Sequence, residues 1–390
     1  LKLIAKTLEG LESVLADELQ NIGAEDIVML NRAVSYSGNK VVLYKSNLWL
    51  RTAIKVLVFV KEFSVRDEKD LYDEVKKIPW EDYFSIDQTF AIDSVVNSTL
   101  FRHANFIALK AKDAIADRFR DKYESRPNVD TVDPFLQVNV HVRENIVTIS
   151  LDSSGPSLHL RGYRRQQVDA PLNEVMAAGL ILLSGWDQSS TLIDPMCGSA
   201  TILCEAARIA GNIPPQSTDK AFAFKKWKSF DQQIWEDVCL DAQNAKDTSK
   251  IPTLKGYDIL PKAINAAKSN IEAANLHDFI IVEEEDFFYQ EGAQDLTLIF
   301  NPPYDGRLKE EDVIEFYKNI GDKLKLSFSN CNAWILSGHI EAMKNLGLRP
   351  AAKKKLLNGS IPSIYCKYEM YRGSKKQKWQ QLYGGTDTNQ

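Results

Sequence analysis

The sequence lacks a pairable set of cysteines, a cluster of histidines and any long apolar run. Its five cysteines (Cys197, Cys204, Cys239, Cys331 and Cys366) are odd in number, scattered, and never spaced Cys-x-x-Cys. That argues against a disulfide framework and against a zinc site. The five histidines show no His-x-x-x-His spacing, so no metal is expected. Apolar runs such as Val56–Val60 are strand-sized, far short of the ~20 residues a membrane helix needs. Leu1–Lys6 carries no signal-peptide apolar region, so no membrane partner is expected and the chain reads as soluble and cytoplasmic. Also missing are G-x-G-x-x-G, a P-loop and a Gly-x-Ser-x-Gly elbow. Nicotinamide dehydrogenase, nucleotide-phosphate and serine-hydrolase chemistry therefore have no anchor.

What is present is ordinary globular material: 44% hydrophobic and 26% charged residues over 390 positions. That length predicts two or three domains. The net charge of −5 does not advertise a nucleic-acid binder, but its distribution is uneven. Residues 1–160 sum to −4, residues 161–348 to −8, and residues 349–390 to +7. A second small basic cluster lies at Arg161, Arg164 and Arg165. Phosphate contacts depend on local lysine and arginine, so these clusters are candidate RNA contacts within an acidic chain.

Hydrophobic periodicity divides the chain. Residues 1–60 and 61–155 read as two small α+β modules. The first has a helix marked by Leu8, Leu11, Leu15 and Leu19, then β-rich stretches at Lys40–Tyr44 and Lys55–Phe63. The second has helices around Leu71–Ile78 and Phe106–Phe119, a strand at Thr89–Val96, and a hairpin of Leu136–Val142 with Ile146–Leu151. After Ser153-Ser154-Gly155-Pro156, strands alternate with helices over residues 160–375, which predicts a doubly wound α/β sheet. Pro171 suits the first turn of an apolar helix over Leu172–Leu183. Residues 376–390 form a basic tail.

The chemistry-bearing residues fall at predicted strand ends. Asn301-Pro302-Pro303-Tyr304 follows the apolar strand Leu296–Phe300. Two prolines cannot extend a central strand, so they fix its exit. Such an exit presents the Asn301 amide oxygen and the Pro302 carbonyl as two acceptors for a planar amine, with Tyr304 as a stacking face. Asp194-Pro195-Met196-Cys197-Gly198-Ser199-Ala200-Thr201 runs from a strand through small residues into a helix. An acid there suits a ligand carrying an ammonium group, such as the amino-acid end of S-adenosylmethionine, better than a pyrophosphate. Asp258, followed by Ile259, is placed to take ribose hydroxyls, and Asp286 to accept from an adenine amine covered by Phe287.

Together, Asp194-Pro-Met-Cys-Gly-Ser, Asp258, Asp286 and Asn301-Pro-Pro-Tyr resemble the motifs of class I S-adenosylmethionine-dependent methyltransferases. Arg161-Gly-Tyr-Arg and Ala170-Pro-Leu-Asn-Glu resemble the THUMP-containing RNA methyltransferases, and bacterial large-subunit rRNA guanine-N2 enzymes in particular. The resemblance implies a Rossmann-like methyltransferase sheet behind a ferredoxin-like module (1–60) and a THUMP module (61–155). It also implies S-adenosylmethionine as cofactor and RNA, ribosomal in that group, as partner. Methylation of another RNA or another amine, and a non-catalytic RNA-binding factor with the same fold, remain as alternatives. The chain departs from the family at Ala200, where glycine is usual. It departs again in the 64 residues from Asp194 to Asp258, against ~20 in a dinucleotide-binding domain. An insertion containing Phe222, Phe224, Trp227 and Trp235 fills that interval, and packing is its expected role.

Overall fold

The structure is a computed structural model that describes residues 1–166, 171–303 and 310–371. The chain forms two compact units. One holds Leu1–Thr7, Leu15–Leu158 and Gln216–Asp241; the other holds Leu8–Val14, His159–Pro215 and the described residues from Ala242 onward.

In the first unit, β1 (Lys2–Thr7), β2 (Glu25–Leu30), β3 (Ala33–Ser37), β4 (Ala53–Ser64), β5 (Phe90–Asn97), β6 (Leu136–Arg143) and β7 (Ile146–Asp152) make one sheet ordered β2-β3-β1-β4-β7-β6-β5. Period-two alternation sends Leu136, Val138, Val140 and Val142 to the buried face. There they meet α3 (Glu68–Lys76) and α4 (Ala104–Tyr123) around Trp80, Phe84 and Phe119. The 12-residue β4 pairs with β1 through Ala53–Val58 and with β7 through Leu57–Ser64. One strand thus serves both modules, and the expected boundary at residue 60 falls inside it.

One local expectation fails in this unit. Lys40–Tyr44, read as β-rich, is the first half of α2 (Lys40–Trp49), which follows α1 (Glu12–Asn21) in the chain. The Asn39 side chain accepts from the Val42 N–H and caps the helix. Burial of Val42, Leu43, Ser46 and Asn47 follows helical spacing. Capping and tertiary burial outweigh the β preference of the paired valines. The hairpin of β2 with β3 was not anticipated.

The chain continues with α5 (Glu174–Ser184), β8 (Leu192–Asp194), α6 (Thr201–Ala210), α7 (Gln232–Ala245), β9 (Leu254–Asp258), α8 (Pro261–Ala273), β10 (Ile280–Glu284), β11 (Ala293–Gln294), β12 (Thr297–Phe300), α9 (Glu310–Ser327), β13 (Phe328–Ser329), β14 (Asn332–Ser337), α10 (Ile340–Lys344), β15 (Ala352–Asn358) and β16 (Ile361–Glu369), and all of these but α7, which lies largely in the first unit, belong to the second. Its main sheet runs β10-β9-β8-β12-β14-β16-β15, while β11 and β13 form a separate two-stranded ladder. Strands β10, β9, β8, β12 and β14 are parallel; β16 runs antiparallel to both its neighbours. The chain progresses outward from β8 to one side, then crosses to β12 on the other. That reversal opens a crevice at the carboxyl ends of the strands, where such sheets bind ligands. Helix α5 starts later than Pro171 predicts: Asn173 is its cap, accepting from Val175 and Met176 N–H.

The aromatic insertion belongs to the first unit. Phe224 stacks on Tyr44 at 4.6 Å between centroids and on Phe222 at 5.3 Å, with Trp235 edge-on to Phe224 at 5.4 Å. The Asp231 N–H donates to the Tyr44 hydroxyl at 2.9 Å. The chain therefore leaves the second unit after Pro215, adds a buried aromatic layer to the first, and returns by Ala242.

Candidate active site

Strand β8 ends on Asp194, and the turn that follows is shaped by two left-handed residues, Gly198 (φ +54°) and Ala200 (φ +63°). Ala200 occupies the N-cap position of α6 without a side-chain cap, and its methyl group is fully buried. Neighbouring strand tips hold the turn in place. The Cys197 N–H donates to the Tyr257 carbonyl at 2.8 Å, and the Gly198 N–H to Asp258 Oδ2 at 2.9 Å. Gly256 is required for this closeness: a Cβ there would lie 2.5 Å from Leu203 Cδ1 and 3.0 Å from Cys197 Sγ. From α8, the buried Asn270 amide donates to the Ser199 and Gln166 carbonyls and accepts from the Arg165 and Gln166 N–H groups.

The remaining tips are fixed by their own turns. Asp258 Oδ1 accepts from Leu260 N–H at 2.9 Å, and Asp286 Oδ1 from Phe288 N–H at 3.0 Å. Each of these carboxylates retains lone pairs beyond the backbone bonds named here. Phe287 is 3% exposed and packs against Phe300 and Phe328, giving only part of its ring to the crevice wall. Asn301 directly follows β12, and its Oδ1 is buried without a hydrogen-bond partner among the described residues. Pro302 beside it is buried. Tyr304 lies outside the described residues.

These tips, separated by more than a hundred residues of sequence, line one cavity of about 670 Å³. Its walls include Asp194, Pro195, Met196, Cys197, Gly198, Ser199, Thr201, Asp258, Ile259, Asp286, Phe287, Asn301, Pro302 and Pro303. Glu285 adds a further carboxylate, and no lysine or arginine is among the described lining residues. Burial pushes the Asp194 carboxyl well above its ordinary range; the Met196 N–H, which donates to it, moderates this, and the charge of Asp258 adds to it. The Cys197 thiol is likewise pushed well up, by burial first and then by Asp194 and Asp258. A wall of one buried and three half-buried carboxyl groups, with no cation beside them among the described residues, favours a cationic ligand and opposes a phosphate-bearing one. An orphaned amide oxygen at the rim requires a donor from outside the described protein.

Leu172, Asn173, Phe316, Asn358, Gly359 and Ile361 also line the cavity and were not recognised in the sequence. For Asn358 and Gly359 a signal existed, because an Asn-Gly pair favours the turn of a hairpin.

Two of the three arginines expected at RNA are turned inward instead. The Arg161 side chain is wholly buried with its Nε 3.7 Å from Glu205 Oε1, which also accepts from the Tyr163 hydroxyl at 2.9 Å. Arg164 donates to Glu174 Oε1 and to the Leu172 carbonyl, both at 2.8 Å. Their carboxylate partners lie on the next two helices, Glu174 ten residues beyond Arg164 and Glu205 further on, so counting charge within the cluster could not reveal the pairing. Arg165 alone is exposed. Among the described residues, no group of His, Cys, Asp and Glu is placed to hold a metal, and no helix is long and apolar enough to cross a membrane.

Residues 161–367 match the RMKL-like methyltransferase domain, residues 65–152 the THUMP domain, and residues 2–57 the RlmL ferredoxin-like domain. A Synechocystis protein named "Putative RNA methyltransferase slr0064" is 38% identical over 94% of this chain and 96% of its own length. The ribosomal RNA large subunit methyltransferase K/L of Syntrophotalea carbinolica is 35% identical over 93% of this chain, which spans only 52% of that relative. Among solved structures, "SMU.472, a putative methyltransferase complexed with SAH" superposes with a TM-score of 0.85 at 27% identity, covering 96% of this chain and 99% of that one.

Proposed function

The chain belongs to the RMKL-like methyltransferase family, and from that premise we propose that it methylates the exocyclic N2 amine of a guanine in RNA, with large-subunit ribosomal RNA as its substrate, using S-adenosylmethionine. One observation carries the reading: the buried Asn301 Oδ1, without a partner among the described residues, sits at the end of a strand in a cavity whose charged lining groups are all carboxylates among the described residues. The acidic wall fits the positive charge of S-adenosylmethionine. Asp194 would face its ammonium group, Asp258 its ribose hydroxyls through the lone pairs left by Gly198 and Leu260, and Asp286 its adenine amine. When bound, the cofactor supplies an electrophilic methyl group on a sulfonium.

The chain's own contribution is alignment. Asn301 Oδ1 accepts one hydrogen of the target amine and the Pro302 carbonyl the other, which turns the nitrogen lone pair toward the methyl group. Holding a nucleophile in line supplies a large share of the acceleration of a transfer that needs no strong base. The target base must leave its stack to reach such a recess, and the role proposed for Tyr304 as its stacking platform rests on the Asn-Pro-Pro-Tyr sequence alone. The THUMP-containing unit supports RNA over DNA or protein as the substrate class.

The test is calorimetry with S-adenosylmethionine, followed by incubation of the full chain and cofactor with an unmodified 23S rRNA transcript. Nucleoside mass spectrometry should then detect N2-methylguanosine. Cofactor binding with methyl groups found on another base, or on none, refutes the substrate assignment.

A further inference from the structure

We propose that the outer strand β15 is a phosphate rail that holds the RNA chain beside the cavity, an inference that rests on the RNA reading above. From Ala342 to Tyr368 the sequence carries six basic residues and no acidic one, inside a methyltransferase unit that is otherwise acidic. Two of the six are neutralised locally: Lys344 pairs with Glu341 at 2.7 Å and Lys367 with Glu369 at 3.1 Å. Arg349, Lys353, Lys354 and Lys355 are exposed, and no carboxylate lies within ion-pair distance of them among the described residues.

Topology connects this charge to the chemistry. Strand β16 runs antiparallel to both β14 and β15, so β15 points the same way as the parallel strands of the sheet. Its carboxyl end therefore emerges at the edge where the cavity lies, and Asn358 and Gly359 of the hairpin turn line that cavity. At ~3.3 Å per residue, Lys355 to Lys353 lie roughly 10 to 17 Å back from the cavity rim along the strand. The three lysines span about 7 Å, commensurate with phosphates spaced ~3.4 Å per strand along a helical axis. Register places Lys353 and Lys355 on one face of the sheet, opposite Cys366 and Ile364, and Lys354 on the other, opposite Tyr365. On an outermost strand, flexible lysine stems from both faces can reach one passing backbone.

Lysines on an edge strand also discourage sheet-to-sheet aggregation. Here the edge is already met near Lys355 and Leu357: the Leu357 N–H donates to the Glu9 carbonyl, and Gly10 lies so close that a Cβ would sit 2.5 Å from the Lys355 carbonyl.

The experiment uses the full chain carrying K353Q/K354Q/K355Q and the 23S rRNA transcript. Each phosphate contact to a single strand contributes ~0.7 to the slope of log K against log salt. The triple variant should therefore lose about 2 from that slope and bind about 50-fold more weakly near 0.15 M salt. S-adenosylmethionine affinity and the single-turnover rate at saturating RNA should be unchanged. K344Q, at a lysine already paired, should leave the slope alone, and K353E/K355E should weaken binding further while preserving solubility. An unaltered slope in the triple variant overturns the proposal, as does self-association with unaltered RNA affinity or an equal loss in K344Q. A wild-type protein that binds cofactor but neither binds nor methylates the transcript instead overturns the substrate reading.

Discussion

Replacing Arg161 with leucine separates a structural arginine from an RNA-contacting one. The guanidinium and the Glu205 carboxylate are both fully buried, 3.7 Å apart, and Glu205 Oε2 has no hydrogen-bond partner among the described residues. The Tyr163 hydroxyl, kept protonated far above its ordinary range by burial and then by the Glu205 charge, donates to the same carboxylate. Without Arg161 that carboxylate loses its buried counter-charge, and removing one partner of a buried pair costs about 3–5 kcal/mol. With a urea dependence of ~2–3 kcal/mol/M, the transition of this unit should move down by roughly 1–2.5 M. R161L/E205L should recover part of the loss, because both charges are gone and the buried Tyr163 hydroxyl is left without the Glu205 acceptor. Urea titration, followed by near-ultraviolet signals of Trp186 and Trp334, measures the shift. RNA salt dependence, taken where the variant is folded, should match wild type. A loss below ~1 kcal/mol together with a slope lowered by about one unit per contact would refute the buried-pair argument.

Three further outcomes follow. Asn301→Ala should lower single-turnover methylation by at least ~100-fold with little change in cofactor affinity, since one oriented acceptor is lost while the carboxylates remain; near-normal turnover would remove Asn301 from the reaction. Asp194, raised by burial, is easier to protonate in the folded than in the unfolded chain, so its contribution to stability is complete below about 3.8 and is lost as pH rises through its folded value. A cation bound beside it favours the carboxylate, so S-adenosylmethionine binding should release a proton and tighten with pH through that window; calorimetry in two buffers of different ionisation enthalpy would show no difference if this is wrong. Gly256→Ala forces a methyl against Leu203 and Cys197 and should cost about 1–3 kcal/mol with a loss of cofactor affinity, checked by thermal melting with and without S-adenosylmethionine.

The legible parts of this chain are those whose physics is local. The strand that ends in Asn301-Pro302-Pro303 has to stop there, because proline has no N–H to offer, and the sheet then places that stop at the crevice. Asp194 and Asp258 end β8 and β9, and Asp286 follows β10 by two residues, so the alternation of strands with helices was enough to mark all three positions. The arginine cluster was misread because its partners Glu174 and Glu205 sit on helices further along the chain. The helix at Lys40–Trp49 was missed because Val41 and Val42 favour strands locally, and only the Asn39 cap and burial of one helical face overrule them. Nothing in a one-dimensional pattern assigns Phe222, Phe224 and Trp235 to Tyr44, which lies about 180 residues earlier. Strand β15 was hidden for the opposite reason: three successive lysines break the alternation by which a half-buried strand is recognised.

The insertion changes how the two activities can be pulled apart. Deleting residues 1–155 looks like a clean removal of the RNA-capturing modules, with a methyltransferase left behind. Yet Gln216–Asp241 belongs to the same unit as the deleted strands. The deletion would strip Tyr44 from Phe224 and the β-sheet from Trp227, leaving a segment with five large aromatic residues and no core to enter. Apolar exposure of that kind leads to aggregation, so loss of RNA binding in such a fragment would report misfolding. Tyr44→Ala makes the same argument quantitative in the full chain. Removal of a buried aromatic ring costs about 3–5 kcal/mol, and the loss should appear as protease cleavage within Gln216–Asp241 as readily as within the strands. Cleavage confined to the strands would mean that the insertion holds its structure without Tyr44. Charge changes on exposed lysines disturb neither core, and they are the perturbations able to weaken RNA capture while leaving the cavity intact.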